Sequence, residues 1–273
     1  MTSSASTASA STATASTKTA STKTVDKHFI LFETIPLIYA RVPKVANSSV
    51  KASLSKLLGL PPDDDCRTTA DATWRRGTHG QTRMVNVFDA RRRRSSHFIF
   101  SFVRNPFDRL VSAYNNKLLE NDHLSPAMER MGLERHMPFD RFLDVVAGTA
   151  DADLDVHLLP QSTILCIDGL PIPSFIGKLE AMDNHWQRLQ RRLHQAGLPA
   201  IGNLPRNNVR RTDVSDLPAY FNSRSRIDLA AHRYADDLAL FYGDCEPGQL
   251  ACGEPEANPA PIEPAGSNGH APT

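Results

Sequence analysis

The sequence predicts a single α/β domain with a mostly parallel sheet and helices on both of its faces. Two stretches, residues 37–58 and 97–120, each combine an apolar strand, a polar turn and a helix with one apolar face. Strands that alternate with helices are typical of parallel sheets, because each connecting helix packs across a face of the sheet. Roughly 215 residues lie between two ends of biased composition, and this length suits one domain with one hydrophobic core.

Both ends of the chain have compositions that predict disorder. Residues 2–24 contain only Ser, Thr, Ala and two lysines, and the chain from Glu246 is rich in Pro, Gly, Glu and Asn. Such segments bury too little apolar surface to offset the entropy lost on ordering. We therefore expect disordered tails at residues 1–27 and 246–273 and a folded domain at residues 28–245.

The overall composition excludes several classes of protein. The formal net charge is +1, which argues against a nucleic-acid-binding protein. The four cysteines form no CxxC motif, so neither a zinc site nor a disulfide framework is predicted. No apolar run is long enough for a membrane span or the core of a signal peptide. We expect a soluble, cytoplasmic protein.

The second stretch contains a basic residue where a strand meets a helix. Arg104 ends the strand, Asn105 suits an N-cap, and Pro106 suits the first helical position. Ser112 follows about two turns into the helix. Backbone N–H groups and the helix dipole converge at such a helix start and favour an anion. The structural alternative is that Arg104 pairs with Asp108.

The first stretch places a lysine in the corresponding turn. Residues 37–42 form the strand, residues 43–49 form a small, polar turn with Lys44, and the helix extends to Gly59. Because ligands bind beyond the carboxyl ends of parallel strands, the two turns can hold one nucleotide between them. The turn is not a Walker A sequence, since Lys44 precedes the small residues instead of following them.

The other elements follow from apolar periodicity and turn residues. A loop is predicted at 61–80, and a second polar loop at 205–215. Strands are predicted at 163–167 and 174–179. Helices are predicted at 138–146, 182–196 and 227–242.

Five segments resemble one enzyme family and occur in the same order as in that family. PKVANSSV at 43–50 and FVRNPFDRLVSAY at 102–114 resemble the two nucleotide-binding motifs of carbohydrate sulfotransferases of the chondroitin and HNK-1 type. SFIGKLE at 174–180 resembles a third stretch of that family. His157 and Gln161 resemble its H..PQ element, and RYADDLALFYGD at 233–244 resembles its closing helix.

The resemblance implies a P-loop-kinase-like fold and 3′-phosphoadenosine-5′-phosphosulfate (PAPS) as sulfuryl donor, with no metal required. Its first motif implies contacts to the 5′-phosphosulfate from Pro43, Lys44, Val45, Ala46, Asn47, Ser48 and Ser49. Its second motif implies that Arg104 and Ser112 hold the 3′-phosphate. Lys44 at the bridging oxygen would stabilise the leaving phosphate. Val50 departs from the family, which often has Trp there.

A hydroxyl acceptor calls for a general base, and two histidines are candidates. His79 lies in a THG sequence that resembles the HGH position of uronyl 2-O-sulfotransferases. His157 lies in the H..PQ element. Either histidine could instead have only a structural role, and Glu180 is a further carboxylate candidate.

The acceptor is not readable from the sequence beyond the carbohydrate that the resemblance implies. The arginine runs at 91–94 and 206–211 suggest an anionic acceptor, although a charge run is more often a solvated surface. Two alternatives are an ATP-dependent small-molecule kinase and an inactive nucleotide-binding interaction module. The family's animal members are Golgi membrane proteins, whereas this sequence predicts no anchor and no transmembrane segment.

Overall fold

The computed structural model describes residues 27–205, 216–254 and 260–264, and its centre is a five-stranded sheet. Two further strands form a small separate ribbon. In chain order the strands are β1 Phe29–Phe32, β2 Leu37–Ala40, β3 Thr82–Val85, β4 Phe98–Val103, β5 Cys166–Ile167, β6 Leu170–Pro171 and β7 Phe175–Lys178.

Twelve α-helices lie in the described part of the chain, with short 3₁₀ turns at Ser55–Leu57 and Leu179–Ala181. A π-helical segment, Asn115–Glu120, continues α4. The helices are α1 Asn47–Leu54, α2 Asp71–Arg76, α3 Val87–Arg91, α4 Pro106–Tyr114, α5 Pro126–Arg130, α6 Phe139–Gly148, α7 Gln161–Leu165, α8 Met182–Gln195, α9 Leu217–Tyr220, α10 Arg224–Arg233, α11 Ala235–Phe241 and α12 Pro247–Ala251.

The central sheet is mixed, with the strand order β3-β1-β2-β4-β7. β2 pairs parallel to β4 and β4 pairs parallel to β7, whereas β1 pairs antiparallel to both β2 and β3. The prediction of an α/β domain is confirmed, but only half of the strand pairings are parallel. The reason is local: four residues join β1 to β2, and so short a connection permits only an antiparallel hairpin.

Both faces of the sheet are covered. Every residue of β1 and β2 is at most 1% exposed, which continuous strands reach only when both faces are packed. On one face the Trp186 ring of α8 stacks on Phe102 with 6.0 Å between centroids. Gly177 is required beneath that stack, since a Cβ there would come within 2.3 Å of the Phe102 ring.

Two predicted elements in the first two thirds of the chain are wrong. The loop predicted at 61–80 contains α2, which is anchored by the buried Trp74, whose indole N–H donates to the Thr68 carbonyl over 2.7 Å. The strand predicted at 163–167 is largely the helix α7. Asp237 decides this, because its carboxylate accepts the N–H groups of Gln161 and Ser162 at 2.9 and 2.7 Å.

The single helix predicted at 227–242 is two helices, α10 and α11. Tyr234 separates them with a non-helical backbone (φ −112°, ψ 30°). Its hydroxyl donates to the Leu158 carbonyl over 2.9 Å. The helices predicted at 138–146 and 182–196 and the strand predicted at 174–179 are confirmed as α6, α8 and β7.

The C-terminal tail does not begin at Glu246, as the composition predicted. Residues 247–251 form α12 with Leu250 buried, and the Leu250 carbonyl accepts a 2.8 Å bond from the Asn105 amide. Ile262 pairs with Ile176 at the edge of β7. The few apolar residues of this Pro-rich segment therefore pack against the domain. The predicted tail residues 1–26 and 265–273 and the arginines of 206–211 lie outside the described residues.

None of the described helices has the length and apolar character that crossing a membrane requires.

Candidate active site

A cavity of about 1400 Å³ lies where β2, β4 and β7 end. Its lining brings together almost all of the residues that the sequence singled out. These residues are Pro43, Lys44, Val45, Ala46, Asn47, Ser48, Ser49, Arg104, Ser112 and His157, together with Glu180. Of the predicted site residues, His79 alone is absent from the lining.

The turn before α1 has the backbone geometry of an anion-binding loop. Lys44 and Ala46 both have positive φ, at 69° and 43°. Alternation of left-handed and ordinary residues turns successive N–H groups into one concave surface. No side chain caps the start of α1, and the N–H groups at a helix start of this kind favour an anion.

Lys44 is held by a residue that the sequence reasoning missed. Its ammonium donates to the Asn116 side-chain oxygen over 2.9 Å. Asn116 belongs to the π-helical segment after α4, and such wide turns often occur at functional sites. The position lies two residues beyond the second motif, but a π-helical turn leaves no signal in a single sequence.

Arg104 makes the pair with Asp108 that the sequence allowed, and it also lines the cavity. Its guanidinium makes a bidentate pair with Asp108 at 2.6 and 2.7 Å, and its third nitrogen donates to the Lys44 carbonyl over 3.1 Å. Asn105 caps α4, as predicted, by accepting the Phe107 N–H. Arg104 therefore ties the start of α4 to the Lys44 turn while it also lines the cavity.

Gln161 and Asp237 fix the backbone of Arg104. The Gln161 amide accepts the Arg104 N–H at 2.9 Å and donates to its carbonyl at 2.8 Å, which closes a two-bond clamp. Gln161 is itself fixed because its N–H donates to the buried Asp237. The H..PQ element and the closing helix thus act on the cavity through the second motif.

Arg109 joins two of the cavity's loops from below. It is 1% exposed, and its guanidinium donates to the Pro43 carbonyl over 3.1 Å and to the Leu159 carbonyl over 2.8 Å. Pro43 directly precedes Lys44, and Leu159 lies two residues after His157. Arg109 is the second arginine of the predicted motif, and sequence reasoning gave it no role.

His157 forms a dyad with a carboxylate. Its Nδ1 lies 2.7 Å from Asp155, which also accepts the Ser125 hydroxyl at 2.5 Å. Although burial alone would raise the pKa of Asp155, the hydrogen bonds from His157 and Ser125 bring that pKa down to about 2. An ionised carboxylate only accepts hydrogen bonds, so Nδ1 carries the proton and Nε2 of the neutral ring is an acceptor.

The charge state of His157 suits a base near neutral pH. Burial lowers the pKa of its imidazole, and the nearby Lys117 and Lys44 lower it further, whereas Asp155 opposes the shift. The neutral ring is therefore favoured at pH 7, while 27% of the side chain remains exposed.

His79 lies near the end of the sheet opposite to the cavity. Thr82, the first residue of β3, pairs with Phe32, the last residue of β1. The opposite end of β1 pairs with the carboxyl end of β2, so Thr82 lies at the end of the sheet away from the cavity. The exposed His79 ring contacts the Pro61 carbonyl at 3.1 Å and Asp63 at 3.3 Å. This geometry gives His79 a place in the 61–80 segment and does not support it as the base.

Glu180 lines the cavity, but both oxygens of its carboxylate accept hydrogen bonds from neighbouring residues. Its carboxylate accepts the Asn105 N–H and the Tyr242 hydroxyl. Burial raises the pKa of this carboxyl.

Across the described residues, no group of three or more His, Cys, Asp or Glu side chains is placed to hold a metal ion. The expectation that no metal is required stays a prediction.

Comparison with known proteins agrees with the motifs. The sequence profile of the sulfotransferase family matches residues 27–243. Carbohydrate sulfotransferase 14 of Mus musculus is 30% identical over 165 residues, which are 59% of this chain and 38% of that protein. Carbohydrate sulfotransferase 10 of Danio rerio is 25% identical over 245 residues, which are 79% of this chain and 64% of that protein. The chain thus spans about two fifths to two thirds of these relatives. No solved structure matches it.

Proposed function

Because the chain belongs to the sulfotransferase family, we propose that it transfers a sulfuryl group from PAPS to a hydroxyl group of a carbohydrate. The observation that carries this proposal is the convergence of the Lys44 turn, Arg104 and the His157–Asp155 dyad on one cavity. Donor binding, leaving-group stabilisation and proton removal thereby have separate groups within one space.

The Lys44 turn would hold the 5′-phosphosulfate. Its concave backbone and the uncapped start of α1 offer N–H groups to the phosphosulfate oxygens. Arg104 and Ser112 would hold the 3′-phosphate. Arg104 already has its fork filled by Asp108, so a phosphate would either share the guanidinium with that carboxylate or displace it. This strand-turn-helix arrangement also supports a likeness to P-loop kinases.

Lys44 would act on the leaving group. In sulfuryl transfer the bond between sulfur and the bridging oxygen of the 5′-phosphate breaks as the bond from sulfur to the acceptor oxygen forms, and negative charge grows on the bridging oxygen. The ammonium is preorganised by Asn116 and needs no reorganisation to stabilise that charge. A single donor of this kind contributes about 3–4 kcal/mol of transition-state stabilisation.

His157 would be the general base. Its Nε2 would take the proton from the acceptor hydroxyl as the oxygen attacks sulfur, and the resulting imidazolium would be stabilised by Asp155. Asp155 would also keep the ring in the tautomer that accepts at Nε2. It is a positioning residue in this scheme, and no feature of the sequence around Asp151 to Asp155 indicated the role.

Two measurements test the proposal against the kinase and the inactive module. Calorimetry should give adenosine 3′,5′-bisphosphate at least tenfold higher affinity than ATP, because the Arg104 fork adds a charge-assisted bond to the 3′-phosphate. Transfer of label from ³⁵S-labelled PAPS to a panel of oligosaccharides should then follow. Preference for ATP would favour the kinase, and binding without transfer would favour the inactive module.

A further inference from the structure

The run of four arginines at residues 91–94 has no part in the proposed function, because none of them lines the cavity. The run begins at the last residue of α3, and backbone hydrogen bonds continue its turns as far as His97. Phe98 then starts β4, and its N–H donates to the Pro36 carbonyl just before β2. The run therefore ends at the amino ends of β2 and β4, on the side of the sheet away from the cavity.

Two large apolar side chains are exposed close to these arginines. Within the described part of the chain, the large apolar side chains that remain exposed are Leu60, Phe88 and Leu170. Phe88 on α3 is 47% exposed, and Leu170 on β6 is 66% exposed. A single exposed apolar residue is ordinary, whereas exposed apolar residues that lie together indicate a binding surface.

Phe88 and Leu170 belong to elements that contact each other. Phe88 lies one turn before Arg91 on α3, and both side chains are exposed. α3 packs against β5, and the Arg91 guanidinium lies 3.9 Å from Asp168 in the turn that joins β5 to β6. Leu170 is the first residue after that turn. These residues therefore form one surface, the α3–ribbon patch, which consists of Phe88, Leu170 and residues 91–94.

The α3–ribbon patch has an excess of positive charge. Asp89 pairs with Arg92, and Asp168 lies near Arg91, so four arginines share two carboxylates. The Arg91 and Asp168 side chains are 58% and 85% exposed. An ion pair this open to water contributes little, which leaves Arg91 able to bind a second anion.

We propose that the α3–ribbon patch docks the protein on a membrane surface that contains anionic lipid. The arginines attract the phosphate and carboxylate groups of the lipid headgroups. Phe88 and Leu170 enter the boundary between the headgroups and the acyl chains, where apolar side chains leave water. A soluble polyanion would use the arginines but would gain little from two exposed apolar side chains, so the combination favours a membrane.

The position of the patch keeps the cavity accessible in the docked protein. The patch lies at the amino ends of the parallel strands, and the cavity lies at their carboxyl ends. Docking therefore leaves the cavity open to solvent. Because the patch and the cavity lining share no residue, this proposal does not depend on the proposed function.

Co-sedimentation of the full chain with lipid vesicles tests the proposal. One set of vesicles contains phosphatidylcholine alone, and in the other about a third of the lipid is phosphatidylserine. We expect the wild type to bind the anionic vesicles about tenfold more tightly or better, and this preference should weaken as salt is added. Arg91→Gln combined with Arg92→Gln should weaken binding to anionic vesicles about tenfold.

The apolar half of the patch has its own test. Phe88→Ser combined with Leu170→Ser leaves the charge unchanged and should also weaken binding to anionic vesicles about tenfold. Leu60→Ser and Arg135→Gln are matched controls, because each removes an exposed side chain of the same type outside the patch. Both controls should bind vesicles as the wild type does.

Three results would overturn the proposal. They are equal or absent binding of the wild type to the two kinds of vesicle, unchanged vesicle binding after Phe88→Ser with Leu170→Ser, and binding of heparin through Arg91 without binding of vesicles. The last result would assign the arginines to a soluble polyanion. Failure of the proposed function has a separate signature, namely loss of nucleotide binding and of label transfer, which the patch variants should leave unchanged.

Discussion

At the scale of single residues, Arg104 has a structural role and a proposed role in binding, and a comparison of two ligands can tell them apart. The guanidinium contacts Asp108 and the Lys44 carbonyl, and in the proposed complex it also contacts the 3′-phosphate. Arg104→Ala should weaken binding of adenosine 3′,5′-bisphosphate tenfold or more, the effect of losing a charge-assisted bond of about 1.5–3 kcal/mol. Binding of adenosine 5′-phosphate should fall less, because that ligand loses only the support that Arg104 gives to the Lys44 turn. Equal losses for both ligands by calorimetry would reject the 3′-phosphate assignment.

The His157–Asp155 dyad gives a pH dependence with a definite sign. Because the imidazole must be neutral to accept a proton, turnover should rise with pH through a pKa below the ordinary histidine value of 6.5. In Asp155→Asn the carboxylate that raises the pKa of His157 is gone, so the midpoint should move to lower pH. The plateau should also fall, because the ring loses its fixed tautomer.

The pH profile of turnover at saturating donor, measured for both proteins, checks this prediction. A midpoint that stays in place or moves to higher pH in Asp155→Asn would show that His157 is not the titrating base. A profile with no acid limb in the wild type would lead to the same conclusion.

At the scale of elements, the cavity depends on helices that lie far from it in sequence. Asp237 on α11 holds the start of α7, and Gln161 at that start clamps Arg104. Asp237→Asn replaces an acceptor with a group that also donates, so one buried N–H loses its partner. We expect unfolding in urea to show a loss of about 1–3 kcal/mol, together with weaker nucleotide binding.

Asp236→Asn is the matched control for that variant, because Asp236 is the exposed neighbour on the same helix. It should leave both the stability and the nucleotide affinity within error of the wild type. If both variants behaved alike, the contacts that link α11 to Arg104 would contribute nothing to the free energy of unfolding or to nucleotide binding.

The sequence predicts those elements whose signals are local. The β4–α4 unit shows an apolar strand, a cap and a helical period within one short stretch, and the structure follows it closely. α2, α7 and α12 were missed because distant contacts stabilise them: Trp74 in the core, Asp237 on α11, and Asn105 at the Leu250 carbonyl. A short helix that depends on such contacts leaves little periodicity in its own sequence.

The same distinction applies to the site. Lys44, Arg104 and Ser112 lie in motifs whose spacing carries the chemistry, so the sequence alone brings them together. Asn116 and Asp155 become visible only when the π-helical turn and the loop before His157 are placed in space. His79 was a candidate through its motif alone. The antiparallel β1–β3 pairing explains why it lies at the end of the sheet opposite to the cavity.

At the scale of the whole molecule, the chain beyond Glu246 forms part of the cavity wall. Leu250, Gly253 and Glu254 line the cavity, and Leu250 receives the bond from Asn105 at the start of α4. A chain that ends at Cys245 should therefore melt at a lower temperature and bind adenosine 3′,5′-bisphosphate more weakly than the full chain. Exposing the buried Leu250 contact surface alone costs about 1.5–3 kcal/mol.

A chain that ends at Pro264 is the control, because it keeps every described C-terminal residue. It should match the full chain in melting temperature and nucleotide affinity. Equal behaviour of the chain that ends at Cys245 would mean that α12 only rests on the domain.

The most direct test of the whole account is the turnover of Lys44→Ala at saturating PAPS. The Lys44 ammonium lines the cavity and is held by Asn116, and charge on the bridging oxygen is larger in the transition state than in the ground state. An interaction that strengthens along the reaction lowers the barrier more than it tightens binding. Turnover should therefore fall about a hundredfold or more, with donor affinity much less affected. Lys56→Ala, which removes an exposed lysine outside the cavity, should behave as the wild type. A turnover for Lys44→Ala within about threefold of the wild type would contradict the proposed mechanism.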